Sequence, residues 1–322
     1  MLEKIATYIR NNRNIIEKEE LNPIVEFINA NSYKSSRIFS DMGQDSAAIK
    51  RSDDTLTLVT TDRIRTNFIE RFPFGAGFSS ILVGVDDIYA CGGTPLAATV
   101  IISFKEKSVG QKMIEGISSG SNKFKVPIIR GHTNTKDYYE LSSTLIGEIN
   151  KNDYIPANSA KIFDDIILAV DFDGKIGRAS KFHWDTVTHK SSEEVLNKRY
   201  AMNLIAQSHL AHSSKDVSNG GIFGTILQLL KYSRVGADIN IKQIEIPSKL
   251  VEKGYDLETY VQMFLTTSYV LTAVRENCQK ILEIFQDHHM YAAVIGSVKN
   301  DFDLSINNGI NSIKVTDFNH NI

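Results

Sequence analysis

Cysteine is scarce in this 322-residue chain, with only Cys91 and Cys278 present. Two cysteines without paired spacing give neither a disulfide framework nor a zinc-ligand set. The simplest setting for such a chain is a reducing, cytoplasmic one. An excess of one charge is lacking too. Lys and Arg number 36 against 38 Asp and Glu, a formal net charge of −2. Bulk charge therefore argues for neither nucleic acid nor an anionic membrane as a partner. The longest apolar run, Ile81 to Phe104, is broken by Asp86, Asp87, glycines and Pro95. It is too interrupted for a membrane span. The opening MLEKIATYIRNNRNIIEKEE lacks the apolar h-region of a signal peptide. There is no solenoid-period repeat or low-complexity tract, no Walker A loop and no GxGxxG fingerprint. No Ser-His-Asp ordering stands out.

What is present is ordinary for a soluble globular protein: 42% apolar and 23% charged residues. The length suits two domains or one large one. Residues 2 to 30 read as helical, with Asn22-Pro23 marking a restart. TLTLVTTD (55–62) reads as a strand ending at Asp62. From about Gly77 to Ala90, Phe78, Ile81, Leu82, Val85, Ile88 and Tyr89 recur at spacings of three and four, which makes one broad apolar helix face. Cys91-Gly92-Gly93-Thr94-Pro95 stops that helix. PLAATVIISF is a strand, VGQKMIEGISSGSNKF a helix and VPIIR a short strand. RGHTNTKD reads as a loop, and YYELSSTLIGEI as a strand. This order suggests an α/β domain with helices on one face of a sheet. The turn-rich NKNDYIPANSA marks the boundary between residues 1–156 and 157–322. The second half reads as α+β: strands in DDIILAV, ADINI, SYVLTAV and AAVIGSV, and helices in SEEVLNKRYAMNLIAQSHL, IFGTILQLLKYS and ENCQKILEIFQDHH.

Several short stretches carry polar groups suited to chemistry. In DMGQDSAAI (41–49), Gly43 allows close backbone approach. Asp45 is a candidate ligand for a hard cation, with an Asx turn as the plain alternative. Asp62 ends a strand, where ligands of open sheets gather, or caps a turn. Asp86 and Asp87 sit side by side on the apolar helix, roughly 100° apart around its axis. Two such carboxylates are costly to bury unless paired or metal-bound. One can face solvent, and Asp87 is the expected functional one. In RGHTNT (130–135), Gly131, His132 and Thr133 follow a short strand, as polar groups at a strand end or as a β-turn. KDVSNGGIFGT (215–225) leads a helix with glycines ahead of its free N–H groups, an arrangement suited to phosphate. Ser218 and Asn219 fit equally as a plain cap. His209 and His212, read as three apart on a helix, find no third metal ligand. Trp184 in FHWDTVT fits a core or domain contact better than a stacking platform.

In order along the chain, Gly-x-Asp-Ser-Ala-Ala, Thr-Thr-Asp, GVDDIYACGGTPLA (84–97), Gly-His-Thr and KDVSNGGIFGT resemble one superfamily. Its members include aminoimidazole ribonucleotide (AIR) synthase, thiamine monophosphate kinase, selenophosphate synthetase and the hydrogenase maturation protein HypE. The resemblance runs from about residue 40 to 299, and FHWDTVT is most similar to the AIR-synthase-related branch. It implies a PurM-like two-domain α/β (α+β) fold: an N-terminal ATP-binding domain that dimerises through its sheet, and a C-terminal α+β domain. It implies ATP and Mg²⁺ as cofactors and a small polar metabolite as substrate. By position, Asp45, Asp62 and Asp87 match the Mg²⁺-holding carboxylates. Gly43, Asp45 and Ser46, then Gly131, His132 and Thr133, match nucleotide-binding stretches. Asp216, Ser218, Gly220 and Gly221 match the second-domain loop, with Asp216 orienting substrate or acting as a base.

The expected activity is phosphoryl transfer. Alternatives are an ATP-driven ring closure or dehydration of the AIR synthase type, and a nucleotide-binding regulatory subunit. Four residues depart from the pattern: Gln44 for an acid, Arg63 for Gly after Asp62, Gly84 for Asn, and Arg130 for Gly. Arg63 and Arg130 have the planar guanidinium that clamps phosphate.

Overall fold

The computed structural model describes residues 1–20, 22–51 and 54–318. Three helices open the chain: α1 (Leu2–Asn11), α2 (Arg13–Glu20) and α3 (Asn22–Asn31). The restart falls at Asn22, as expected, and Leu21 lies outside the described residues. A six-stranded sheet follows, from β1 (Ile38–Ser40), β2 (Ala47–Lys50), β3 (Thr55–Arg63), β4 (Thr94–Phe104), β5 (Ile128–Thr135) and β6 (Glu140–Asn150). Its order is β1-β2-β3-β6-β4-β5. All neighbours are antiparallel except the parallel pair β4 and β5.

One face of this sheet is covered by helices. β3 alternates strictly and turns Leu56, Leu58 and Thr60 inward, as a half-buried strand does. Helix α4 (Thr66–Arg71) leads into α5 (Pro73–Ala90), whose Ile81, Val85 and Ile88 are fully buried. Each contributes about 1.5–3 kcal/mol by leaving water. Helix α6 (Lys107–Phe124) packs on α5 at unusually short range. A Cβ on Gly116 would stand 2.0 Å from the Phe74 carbonyl oxygen, and one on Gly77 would stand 2.1 Å from that of Met113. Only glycine permits this crossing. The outer face of the sheet carries exposed Ile101 and Ile129.

The second half builds a seven-stranded sheet from β7 (Asp165–Val170), β10 (Ser213–Asp216), β11 (Gly236–Asn240), β13 (Ser268–Ala273), β14 (Tyr291–Lys299), β15 (Asp303–Asn307) and β16 (Ser312–Asp317). The order is β10-β13-β7-β14-β11-β15-β16. A small sheet joins β8 (Lys175–Ile176), β9 (His183–Asp185) and β12 (Phe264–Leu265). The helices are α7 (Ser192–Gln207), α8 (Gly221–Ser233), the short α9 (Ser248–Val251) and α10 (Leu257–Tyr260), and α11 (Arg275–Asp287). A capping box starts α7, with Ser191 accepting from the Glu194 amide and Glu194 reaching back.

Every residue of β7 and β13 is buried, because both faces are covered. Ile167 and Ala169 join α7, α11 and the first domain in one continuous core. Ile166, Leu168 and Val170 join α8 in the other. Helix α1 belongs to that second core through Leu2, Ile5 and Ile9. Arg10 fixes it there, donating to the carbonyls of Lys314 and Val315 at 2.8 Å each. The start of the chain thus packs on the second sheet.

This is the mixed α/β, two-domain architecture expected, with three local differences. RGHTNT is not a loop but most of β5, because the ladder to β4, with Thr99 opposite Arg130 and Ile102 opposite Thr133, outweighs the turn preferences of Gly and Asn. Ala47–Lys50, within a stretch read as polar and irregular, is β2. His209 and His212 are not on a helix, because α7 ends at Gln207. His212 instead faces the buried Asp164, with Nδ1 at 2.9 Å from its carboxylate. Trp184 is fully buried and donates to the Asp171 carbonyl at 2.9 Å, bracing the second domain.

Candidate active site

Strand β3 and helix α5 bring the first acidic groups together. Asp62 stands near the C-terminal end of β3. On α5, Ser79, Val83 and Asp87 recur every four residues, so they share one face, and all three line a cavity of about 670 Å³. The second domain contributes β10, whose last residue is Asp216. Asp45 arrives from the turn before β2. Carboxylate oxygens of Asp45, Asp87 and Asp216 lie within 4.8 Å of one another. Asp62, Asp87 and Asp216 border the cavity, together with Ser218.

The electrostatics of this cluster are unbalanced. Burial pushes the Asp87 carboxyl well above the usual carboxylate range, and the charges of Asp62, Asp216 and Asp45 push it further. A hydrogen bond from Thr60 Oγ1, 2.6 Å from Asp87 Oδ2, works against the rise. Lys215 is the cation of the cluster, paired with Asp45. Burial disfavours its ammonium, but Asp45 and Asp216 more than offset that and hold it protonated. The Asp216 amide donates to Asp45 Oδ2 at 3.1 Å. Four carboxylates against one ammonium make a hard-oxygen donor set with surplus negative charge. That fits Mg²⁺, which takes a few carboxylates and fills its remaining positions with water and phosphate oxygens.

Asp86 has a different task. It is 4% exposed and accepts from the fully buried Arg199 Nε of α7 at 2.7 Å. Burial lifts its carboxyl, and the guanidinium counters. Asp86 is buried, and Asp87 is half-buried on the cavity wall. Asp87 turns to the cluster, while Asp86 ties the first domain to the second.

The other expected positions divide. Ser218 lines the cavity, Gly220 is the N-cap of α8, and Gly221 begins the helix at φ +66°. A Cβ on Gly221 would lie 2.3 Å from the Val261 carbonyl oxygen, so backbone conformation and space both require glycine there. The N-cap of α8 is Gly220 rather than Ser218 or Asn219. Gly43 forms the turn before Asp45, over the Tyr232 ring. Ser46 is buried, and its hydroxyl has no partner among the described residues. Gly131, His132 and Thr133 are exposed on the edge strand β5, and none of the three lines the cavity.

The departures from the family pattern have structural explanations at two positions. Gln44 Oε1 accepts from the Ala157 amide at 2.6 Å and so pins the segment between the domains. Gly84 lets α5 lie against β6, since a Cβ there would stand 2.7 Å from Leu145 Cδ1. Arg63 lines the cavity, and Arg130 sits exposed on β5. Sequence reasoning did not single out Lys215, although it precedes Asp216 directly. It also missed Thr60 and the contribution of the α1–α2 junction, where Asn14 Nδ2 donates to the Asn219 carbonyl at 2.9 Å. Phe182 and His183 of the Trp184 segment line the cavity as well.

Comparison with known proteins agrees with this architecture. Residues 43–149 match the family model described as AIR synthase related protein, N-terminal domain, and residues 173–307 match the C-terminal domain model. An uncharacterised protein of Methanocaldococcus jannaschii is 36% identical over 320 residues, covering 98% of this chain and 97% of its own. The thiamine-monophosphate kinase of Buchnera aphidicola subsp. Schizaphis graminum is 25% identical over 95% of this chain and 99% of its own. Among solved structures, Thermotoga maritima PurL complexed with ATP superposes with a TM-score of 0.70 at 13% identity over 87% of this chain. The chain spans about half of that PurL chain, 47%. Both halves of the fold are thus accounted for, and the chain belongs to the AIR synthase related protein family.

Proposed function

We propose that this protein is an ATP- and Mg²⁺-dependent enzyme that transfers a phosphoryl group to a small polar metabolite. The observation that carries the reading is the convergence of Asp45, Asp87 and Asp216 within 4.8 Å, beside a cavity that both domains line. The similarity to a thiamine-monophosphate kinase over nearly the whole chain supports it, as does the fold shared with an ATP-complexed protein.

The chain's own residues have distinct tasks in this reading. Asp45 and Asp87 of that cluster hold the cation, with Asp62 bordering the cavity beside them. When bound, Mg²⁺ supplies charge stabilisation to the phosphoryl oxygens, which is most of what such a transfer needs. Lys215 holds Asp45 in place, and Thr60 orients Asp87 through its hydroxyl. Asp216 stands at the cavity wall, where it orients the acceptor hydroxyl or takes its proton. Ser218 and Asn219 line the cavity just ahead of α8, whose first amides are already used, Gly221 N–H by the Ser218 carbonyl and Ile222 N–H by the Val261 carbonyl. The exposed outer face of the first sheet, with Ile101, Ile129 and the strand carrying Gly131, His132 and Thr133, is the surface through which a second copy would complete the nucleotide site.

Calorimetric titration of ATP with and without Mg²⁺ tests the reading. Mg²⁺-dependent binding in the native chain and its loss in Asp87→Asn are expected. Equal binding in the two proteins would refute the assignment.

A further inference from the structure

The second domain has another cavity, at the far end of β10 from the carboxylate cluster. It measures about 490 Å³, and Lys161, Phe163, Asp164, His212, Arg275 and Val298 are among the residues that line it. His212 directly precedes β10, and Asp216 of the cluster ends that strand. Four residues of extended chain set the two about 13 Å apart. Three side chains stand in a row on the cavity wall. His212 Nδ1 lies 2.9 Å from both oxygens of Asp164, a carboxylate only 2% exposed. His212 Nε2 lies 3.0 Å from Lys161 Nζ. A carboxylate can only accept and an ammonium can only donate. The ring proton therefore sits on Nδ1, and Nε2 turns its lone pair to the lysine.

This pairing differs from that of other lysines in the chain. Lys190, Lys198, Lys215, Lys249, Lys299 and Lys314 each meet an Asp carboxylate, which favours the ammonium. Lys161 meets a base. The turn that carries it is clamped at both ends. The Lys161 amide donates to Asp164 Oδ2 at 2.9 Å, and the Asp164 amide donates to the Lys161 carbonyl at 3.0 Å. The Phe163 amide donates to the Val298 carbonyl at 3.1 Å, and the Val298 amide to the Asp164 carbonyl at 2.7 Å. Phe163 is held at φ +75°, rare for a bulky residue, and stays 86% exposed at the rim. Amine and imidazole thus face each other from fixed backbone beside open space. The other charged groups there are Arg275, which grips Asp165 with two hydrogen bonds of 3.1 Å, and Glu276. A nucleophile, a base within hydrogen-bond reach and a third group that orients the base are the parts of an activated nucleophile.

We propose that Lys161 is a modification site that takes an acyl group directly from an activated donor, an acyl phosphate or a thioester, with His212 as its base. His212 Nε2 takes one proton from the Lys161 ammonium, and Asp164 stabilises the imidazolium that forms. The freed amine pair makes a C–N bond to the acyl carbon. The acyl–oxygen or acyl–sulfur bond breaks, and its electron pair leaves with the phosphate or thiolate. His212 passes its proton to that leaving group, and the new amide nitrogen sheds its second proton to solvent. Nothing is oxidised or reduced. The product is a neutral acyl-lysine, which the cavity has room to hold. This site stands apart from the phosphotransferase reading, because none of its residues belongs to the carboxylate cluster.

Incubation of the full chain with acetyl phosphate, and separately with a small acetyl thioester, tests it. Peptide mass spectrometry over time gives the rate at each lysine. Lys112 and Lys253, both exposed and without a partner among the described residues, are the references. Lys161 should acetylate at least about tenfold faster than either, a modest share of what a placed base contributes. Selective reaction with acetyl phosphate alone marks an acyl phosphate as the donor, and with the thioester alone a thioester; both results support the proposal. His212→Gln keeps a polar side chain but cannot take the proton, so Lys161 should fall to the reference rate. Circular dichroism checks that this variant is folded, and the comparison within the native chain stands without it. The proposal is overturned if Lys161 reacts no faster than Lys112 and Lys253 with both donors. It is overturned equally if folded His212→Gln keeps the advantage of Lys161.

Discussion

Replacing Asp86 by alanine removes the only carboxylate that Arg199 touches among the described residues. The guanidinium is 0% exposed, and its Nε lies 2.7 Å from Asp86 Oδ1. Its other contacts are neutral: the Val195 carbonyl at 3.1 Å and the Phe124 ring at 5.1 Å. Nη2 is buried without a partner among the described residues. A charge that cannot lose its proton would therefore be left in the core. Breaking one side of a buried pair costs about 3–5 kcal/mol, a large share of a typical stability of 5–15 kcal/mol. At about 2–4 °C per kcal/mol for domains of this size, the melting temperature should fall by roughly 6–20 °C. The double variant Asp86→Leu with Arg199→Met removes both charges and should recover most of the loss.

The neighbouring position should behave in the opposite way. Asp87→Asn removes a carboxylate whose charged form the fold disfavours by burial and by three nearby acids. Its melting temperature should hold or rise, while Mg²⁺-dependent ATP binding disappears. Thermal unfolding by circular dichroism and calorimetric titration of the same samples read both properties. A folded Asp86→Ala protein that melts within about 3 °C of the native chain would show the pair to be energetically idle. Loss of ATP binding in Asp86→Ala with retention in Asp87→Asn would invert the assignment of the two residues.

Protons and metal should compete at the cluster. The folded Asp87 pKa is raised, so its contribution to metal-free stability is present below the ordinary carboxylate pKa and lost as pH rises through the raised one. Added Mg²⁺ should therefore raise the melting temperature more at about pH 8 than at about pH 5, and equal shifts at both would contradict this. Asp303 has the reverse sign. Burial opposes its carboxylate, but Lys299 and Lys314 hold its pKa below the usual value. Its contribution is present above the ordinary carboxylate pKa and lost as pH falls through the lowered one, so Asp303→Asn should flatten acid unfolding followed by circular dichroism; an unchanged acid limb would count against the pairing. Gly116→Val would place a side chain 2.0 Å from the Phe74 backbone oxygen, at a cost of about 1–3 kcal/mol or more. An unaltered melting temperature would show that α5 and α6 can separate freely.

Much of the architecture was legible because burial leaves a period in the sequence. Helix α5 carries its apolar residues at three and four spacing, and the strict alternation of β3 marks its inner face. The apolar runs Ile166–Val170 in β7 and Tyr269–Leu271 in β13 read as strands, and burial of every residue in both shows why the runs are continuous. The acidic residues of the cluster were legible as a set, because their order along the chain resembles the superfamily pattern, while each alone fits a turn or cap as well. What the sequence could not convey was decided by partners far away along the chain. Gly131, His132 and Thr133 read as a turn until their ladder to β4 is known. Helix α1 looks like the start of the first domain, yet its carbonyl partners lie more than 300 residues on. Of the cavity's arginines only Arg63 stands out in the sequence, as a departure from the pattern after Asp62, while Arg13, Arg65 and Arg71 give no local signal.

The adjacency of Asp86 and Asp87 follows from helix geometry. Successive residues on α5 point roughly 100° apart, so two neighbouring carboxylates serve two directions from one rigid element. One direction meets α7 and binds the second domain through Arg199. The other meets β3 and the end of β10, where Asp87 joins carboxylates from both domains. The Asp45–Asp216 half of that cluster spans the domain junction, so its geometry depends on how the domains are docked, and the docking depends in turn on the buried pair one residue away. A shift at Asp86 should therefore reach the cluster through α5 itself. An Asp86→Asn protein, which keeps the shape but weakens the pairing, should bind Mg²⁺ with lower affinity while every cluster carboxylate remains in place. Unchanged Mg²⁺ affinity in that variant, measured by calorimetry alongside its melting temperature, would show that the two carboxylates share a helix without sharing a consequence.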